Sequence, residues 1–217
     1  MLVTTANRAS VSRARRSTRP SGDDREQAIL TTLERLLEQR PLAEISVDDL
    51  AKGAGLSRPT FYFYFPSKDA VLLTLMSRII AEADERADEA LGPMDTGVDP
   101  AGSWRAINAL FESFGEHRAV MLAGWTARPT NAEIQSMWSQ FMLKWIDYTT
   151  DSIQAERDGG AAPVTVPARD LAIALNLMNE RTMFAAYAAE KDSIDRDQIV
   201  NTLAHVWITS IYGKAPA

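Results

Sequence analysis

Apolar residues recur at helical spacing along most of the chain, and polar or glycine-proline breaks mark where each stripe stops. Ile29, Leu33, Leu36 and Leu37 set the first stripe within residues 23–39, which Pro41 ends. Val47, Leu50 and Ala51 give a short second segment one apolar face. Val71, Leu72, Leu75, Ile79 and Ala83 face inward on a longer helix that Ser67 can cap and that runs to Leu91. The far end of that helix is acidic (Asp84, Glu85, Asp88, Glu89), as a solvated face would be. Gly92-Pro93 and the stretch from Gly97 to Gly102 mark a loop. Beyond it the spacing predicts helices over about 103–116, 118–127, 131–158, 167–189 and 195–212. No strand-like alternation or internal repeat occurs. The pattern predicts an all-α protein. A three-helix N-terminal domain covers residues 23–66, a basic arm precedes it over 1–22, and a larger helical domain fills 67–217.

The segment from Ser46 to Leu72 reads as a helix, a glycine turn and a second short helix. Ser46 is an N-cap, with Asp49 three residues on as the acidic half of a capping box. Gly53 and Gly55 break the first helix, where positive φ costs little. Ser57 caps the second helix, and Pro59 is tolerated in its first turn. That helix carries Thr60, Phe61, Tyr62, Phe63, Tyr64 and Phe65, a run of weak helix formers that needs burial or a partner. At about 100° per residue, Phe61 and Phe65 share the anchoring side. Thr60, Phe63 and Tyr64 face outward, with Arg58 and Lys68 at the two ends. Hydroxyls, rings and cations presented outward on a helix suit the major groove of double-stranded DNA and its phosphates.

Charge sharpens this picture. The net charge is −6, but residues 1–20 hold five arginines and no acid, so the rest of the chain carries −11. A basic arm beside an acidic body fits a localised nucleic-acid contact, in the phosphate backbone or minor groove. Its arginines include Arg13, Arg15 and Arg16. The arm has no apolar block after it and is not read as a secretory signal. No apolar run is long enough for a membrane span. The absence of cysteine excludes disulfides and cysteine-ligated metal, and it fits a cytoplasmic protein.

The C-terminal two-thirds is rich in large rings and methionines spread over several helices. Such rings usually form core. Converging from several helices they can also leave a cavity, and methionine adapts to varied shapes. Asn176 and Asn179 lie three apart on an apolar helix with Glu180 beside them, and a buried amide without a partner costs about 1–3 kcal/mol. Apolar walls with one or two amides describe a small-molecule pocket. No nucleophile elbow, phosphate loop or metal pair is present, and His117 and His205 are far apart, so catalysis, cofactors and metals are not expected. A helical lipid or multidrug carrier without specific DNA binding is the rival reading; the outward Thr-Phe-Tyr-Phe-Tyr helix and the arginine arm argue against it.

The run from Gly55 to Leu72 resembles the DNA-binding signature of the TetR family of bacterial repressors. Residues 19–26, 141–146, 174–182 and 208–213 resemble the EthR-like branch of that family. The resemblance implies a TetR-like fold of about nine helices and DNA contacts at Arg58, Pro59, Thr60, Tyr62, Phe63, Tyr64 and Lys68. It further implies a homodimer through the last two helices, with Leu171, Leu175, Ala185, Val200, Leu203, Trp207 and Ile211 available for packing. Several dimers can occupy one operator. An apolar effector would fill an aromatic tunnel lined by Trp104, Phe114, Trp138, Met142, Trp145, Tyr148, Thr149, Asn176, Asn179, Phe184 and Trp207. Asn179 would be the main polar contact. The regulated gene would encode a monooxygenase of the ethionamide-activating type. The chain departs from the branch at Trp125 and Pro129, and the ring at position 125 is placed to fill part of the tunnel.

Overall fold

The computed structural model describes residues 21–91 and 100–213, with backbone alone over 100–105. The arm with Arg13, Arg15 and Arg16, and the side chain of Trp104, lie outside the described residues. Within them the chain forms nine α-helices and no strand. These are α1 (Gly22–Leu37), α2 (Val47–Gly53), α3 (Arg58–Tyr64), α4 (Lys68–Leu91), α5 (Pro100–Glu116), α6 (Arg118–Ala127), α7 (Ala132–Asp158), α8 (Ala168–Tyr187) and α9 (Arg196–Tyr212), with a 3₁₀ turn at Leu42–Glu44. The first helix begins earlier than expected because Ser21 caps it through a reciprocal box with Asp24.

The head and the body share one core. Leu33 of α1, Leu50 of α2, Phe61 of α3 and Val71 of α4 are fully buried together. The same cluster continues through Met76 and Ile79 of α4 to Phe114, Trp138 and Trp145 in the larger domain. A smaller cluster of Ile153, Ala172, Leu175 and Ile211 ties α7, α8 and α9 at the far end. At 1.5 Å per residue, the 24 residues of α4 reach roughly 36 Å, long enough to belong to both domains.

Three expectations change. Gly53 lies inside α2, where a Cβ would meet the Thr32 methyl at 2.4 Å; the positive φ is at Gly55 alone in that turn. The acidic end of α4 is not merely solvated. Asp84 accepts the Trp145 indole N–H at 2.9 Å and meets Lys144 at 3.3 Å, and Asp88 meets Lys144 at 3.1 Å. Finally, Leu175, Val200, Leu203 and Ile211 are already buried within one chain. They hold α8 and α9 to the body, because the inward stripe of an amphipathic helix is spent on its own core. Leu171, Ala185 and Trp207 stay half-buried, and Leu177 is 49% exposed on α8.

Helices α4 and α6 cross at Gly124. A Cβ there would lie 2.1 Å from Met76 Sδ and 2.2 Å from its Cε. Met76 is buried but lines the cavity, so its thioether would have to turn into that space to make room. Gly124→Ala is expected to cost about 1–3 kcal/mol of stability by overpacking. In a double-mutant cycle, Met76→Ala should relieve part of that cost. Denaturation midpoints that add independently would show that the crossing is not tight.

Candidate functional site

The head is built from caps inward. The Ser46 hydroxyl accepts the backbone N–H of Asp49, and the Asp49 carboxylate accepts both the Ser46 N–H and its hydroxyl. Ser57 caps α3 through the Thr60 N–H, and Pro59 sits in the first turn. Phe61 is fully buried, and Phe65, just past the helix end in extended backbone, is buried beside it. This anchoring pair leaves the opposite side of α3 facing out. Phe63 is 83% exposed and Tyr62 46%. Arg58 and Pro59 are exposed too, whereas Thr60 and Tyr64 are half-buried. Thr60 shares a 2.7 Å hydrogen bond with the Ser57 hydroxyl, and Tyr64 packs against the core. Tyr62 therefore presents more surface than the two residues that simple helical spacing placed outward beside Phe63. Arg58 donates to the Tyr62 hydroxyl at 3.4 Å and faces Asp48 at 3.5 Å. It remains a solvated cation beside an exposed ring.

Lys68 is placed differently from its expected phosphate role. Its ammonium donates to the carbonyls of Leu42 at 2.7 Å, Ile45 at 2.9 Å and Ala43 at 3.4 Å. It thus satisfies the end of the 3₁₀ turn and fastens the start of α4 to the rest of the head. Two contacts join the head to the body from α1. Arg78 donates to Glu26 and Gln27, and the His117 Nδ1 meets the Glu34 carboxylate where α5 gives way to α6.

A cavity lies between α4, α5, α6, α7 and α8. Its lining includes the expected Phe114, Trp138, Met142, Trp145, Asn176, Asn179 and Phe184. Met76, Leu110, Met121, Gly124, Trp125, Arg128, Phe141 and Glu180 also line it. Tyr148, Thr149 and Trp207 fall outside this lining. Thr149 is buried beside it, and its hydroxyl oxygen accepts from Asn176 at 3.1 Å while donating to the Trp145 carbonyl. Trp207 donates its indole N–H to Asn179 Oδ1 at 2.9 Å. Both therefore orient the amides from behind, and Tyr148 packs edge-on against Trp145.

The amide orientations follow from donor and acceptor chemistry. An indole N–H only donates, so the Asn179 oxygen must face Trp207, and its NH₂ is the function it offers to the cavity. A backbone carbonyl only accepts, so the Asn176 NH₂ is spent on Ala172 O at 2.9 Å and on Thr149. Asn176 offers its oxygen. The walls thus carry one donor and one acceptor amid apolar rings. Glu180, though on the lining, is occupied: its Oε1 accepts from Arg128 Nη1 and from the Trp138 indole, each at 2.5 Å. That pair joins residues 52 positions apart, and nothing in the spacing of the chain points to it. Of this edge, the sequence reading singled out Trp125 and Glu180 but not Arg128, which lies over the Trp125 ring.

Burial also marks Tyr187, whose phenol is pushed far above its usual range and donates to the Phe111 carbonyl at 2.6 Å. Among the described residues, no group of three or more potential metal ligands occurs, and no helix is long and apolar enough to cross a membrane.

The family described as bacterial regulatory proteins, tetR family, matches residues 29–75, and the family described as transcriptional regulator EthR, C-terminal domain, matches residues 104–213. The HTH-type transcriptional regulator EthR of Mycobacterium tuberculosis is 59% identical over 215 residues, covering 99% of both chains. The EthR of Mycolicibacterium smegmatis is 54% identical over 215 residues, covering 99% of this chain and 98% of its own. Among solved structures, a TetR-family transcriptional regulator from Rhodococcus superposes with a TM-score of 0.71 at 16% identity, over 87% of this chain and 99% of its own.

Lys68→Met is expected to destabilise the head by about 1–3 kcal/mol, since carbonyls at the 3₁₀ turn lose a charged donor. It should leave the salt dependence of DNA binding unchanged. A salt slope lowered by about one unit at intact stability would instead place Lys68 on a phosphate. The caps carry an acid signature. Backbone N–H groups first, and then the serine hydroxyls, hold the Asp24 and Asp49 carboxyls below their ordinary 3.8. A lowered folded-state pKa stabilises fully at neutral pH and is lost as pH falls through that lowered value. Amide exchange at Ser21 and Ser46 should therefore accelerate as pH falls below 3.8, beyond the intrinsic trend. Asp49→Asn should remove that dependence at Ser46, and an unchanged profile would rule the cap out as its cause.

Proposed function

Because the chain belongs to the TetR family of transcriptional regulators, in its EthR branch, we propose that it is a repressor that an apolar amide releases from its operator. It is a DNA-binding regulator and not an enzyme. The observation that carries the repressor reading is the exposed face of α3. A phenylalanine 83% exposed on a capped, seven-residue helix has no folding role, yet the helix is buried from behind by Phe61. In the major groove, Arg58 would read a guanine edge and Phe63 would pack on a thymine methyl. Tyr62, Tyr64, Thr60 and Pro59 would hold the register, and the arm arginines would reach phosphates or the minor groove.

Family members act as dimers, and a two-fold pair reads both half-sites when its heads lie about 34–36 Å apart. The exposed Leu177 and the half-buried Leu171, Ala185 and Trp207 supply the outward apolar surface for a partner's α8 and α9. More than one dimer can then line up on a long operator.

The effector class follows from the amides. A secondary amide brings one carbonyl and one N–H, the complement of the Asn179 NH₂ and the Asn176 oxygen, and its apolar arms suit the surrounding rings. Helices α4 and α6 carry the effect outward, since each has residues on the cavity and residues against the head. The EthR-like regulation of a monooxygenase gene is the matching target.

The test is fluorescence polarisation with the upstream DNA of the protein's own gene, titrated with salt and then with N-hexylbenzamide, an apolar secondary amide. Specific binding that the amide reverses is the expected result. Arg58→Ala should relax base choice by about 1–3 kcal/mol at its position. Binding no tighter than to random DNA, here and in a selection from random sequence, would sink the repressor reading.

A further inference from the structure

The cavity is smaller than its aromatic lining suggests. A water-sized sphere can be centred in only about 70 Å³ of it. Pockets for drug-sized ligands run to about 300–1,000 Å³. The edge between α6 and α8 is closely packed. There the Trp125 indole stacks on Phe184, with centroids 4.3 Å apart and planes at 24°. The Arg128 guanidinium lies over the same indole at 4.2 Å from its centroid. Trp138 meets it edge-on at 6.5 Å. Arg128 is held in turn by Glu180, which also fixes Trp138. Trp125 is half-buried and its neighbour Thr126 is exposed, so this edge of the cavity borders solvent.

We propose that Trp125 is the specificity-determining residue of the cavity: its indole plugs the solvent edge as an internal ligand, and an effector enters by taking its place on Phe184 and Arg128. The inference rests on the ligand-responsive reading above and names the class of ligand. What the indole leaves behind is an aromatic face and a guanidinium already paired to a buried carboxylate. A saturated group of the same size fills the volume but offers no quadrupole to the cation and no offset stack to Phe184. An effector with a flat aromatic end restores both contacts. Its amide then lies toward Asn176 and Asn179, which line the same cavity. Long saturated chains are disfavoured by the plug itself.

The test compares N-hexylbenzamide with N-hexylcyclohexanecarboxamide, which differ in ring character at matched size. Affinities are measured calorimetrically on the protein without DNA, so the outcome does not depend on finding the operator. Wild type is expected to bind the benzamide about tenfold more tightly, the worth of one stack plus one cation contact. Trp125→Ala should bind both amides more tightly and by a similar factor, since the cost of displacing the indole is lifted from both while Phe184 and Arg128 keep the preference for the benzamide. Trp125→Phe, which keeps a ring but shortens the plug, should fall between. Melting curves establish that both variants are folded. Equal affinities in wild type would overturn the aromatic class, and unchanged or weaker binding by folded Trp125→Ala would overturn the plug. DNA release is read separately: amide binding that follows this pattern without releasing a specific operator would defeat the repressor reading and leave the plug standing.

Discussion

The crossing of α4 and α6 at Gly124 is the constraint on which the rest of the molecule depends. Without a side chain there, α6 lies close enough to α4 for Met76 to pack over its backbone. Met76 belongs to the core cluster that begins in the head at Ile29 and Phe61 and also lines the cavity. The consequence is mechanical. Packed interiors respond to added volume by moving elements rather than by compressing. Any molecule that enlarges the cavity presses on α4 or α6, and both lead to the head. Helix α4 does so through Val71 and Leu72 in the head core and through Arg78 on Glu26. Helix α6 does so from its first residue, since His117 before it meets Glu34 of α1.

Polar groups inside the larger domain are disposed so that each has one committed side. Asn176 and Asn179 give opposite faces of their amides to the protein, and so present opposite faces to the cavity. This asymmetry comes from the partners, a carbonyl in one case and an indole in the other, and it turns two like residues into a donor and an acceptor. Glu180 is the counterexample. A carboxylate on an apolar wall would be costly alone, but Arg128 and the Trp138 N–H take up its Oε1. The same Arg128 holds the Trp125 ring. One ion pair therefore neutralises the wall and braces the plug.

The sequence was most legible where structure is local. Ser46 with Asp49, Ser57 with Pro59 and Ser67 before α4 mark helix starts by chemistry that acts within three or four residues. Apolar periodicity placed every later helix within a few residues of its ends for the same reason. Legibility fails where the partner is remote. Lys68 reads as a free cation beside a recognition helix, but its acceptors lie 23 to 26 residues earlier. The acids of α4 read as solvated, but Trp145 is 61 residues away from Asp84. Likewise, the family resemblance placed Trp207 and Thr149 on the tunnel lining. A carry-over by position does not tell a lining side chain from one that orients the lining from behind. The helical wheel ranked Tyr64 above Tyr62 because it treats α3 as free, while in the head Tyr64 packs against neighbouring residues of the shared core.

The plug also bears on the energetics of switching. Moving a repressor from almost wholly bound to almost wholly released takes about 5.5 kcal/mol of differential affinity between its two conformers. Only contacts made better in the released conformer count toward that difference. Displacing Trp125 breaks the indole's own contacts with Phe184 and Arg128, a cost the ligand meets in whichever conformer keeps the indole seated. If the seated indole belongs to the DNA-binding conformer, the cost falls there and not in the released one, so it adds to discrimination instead of merely weakening binding. A tryptophan at this edge then does more than narrow the tunnel: it converts a pocket that would accept many apolar molecules weakly into one that responds to those able to replace an indole.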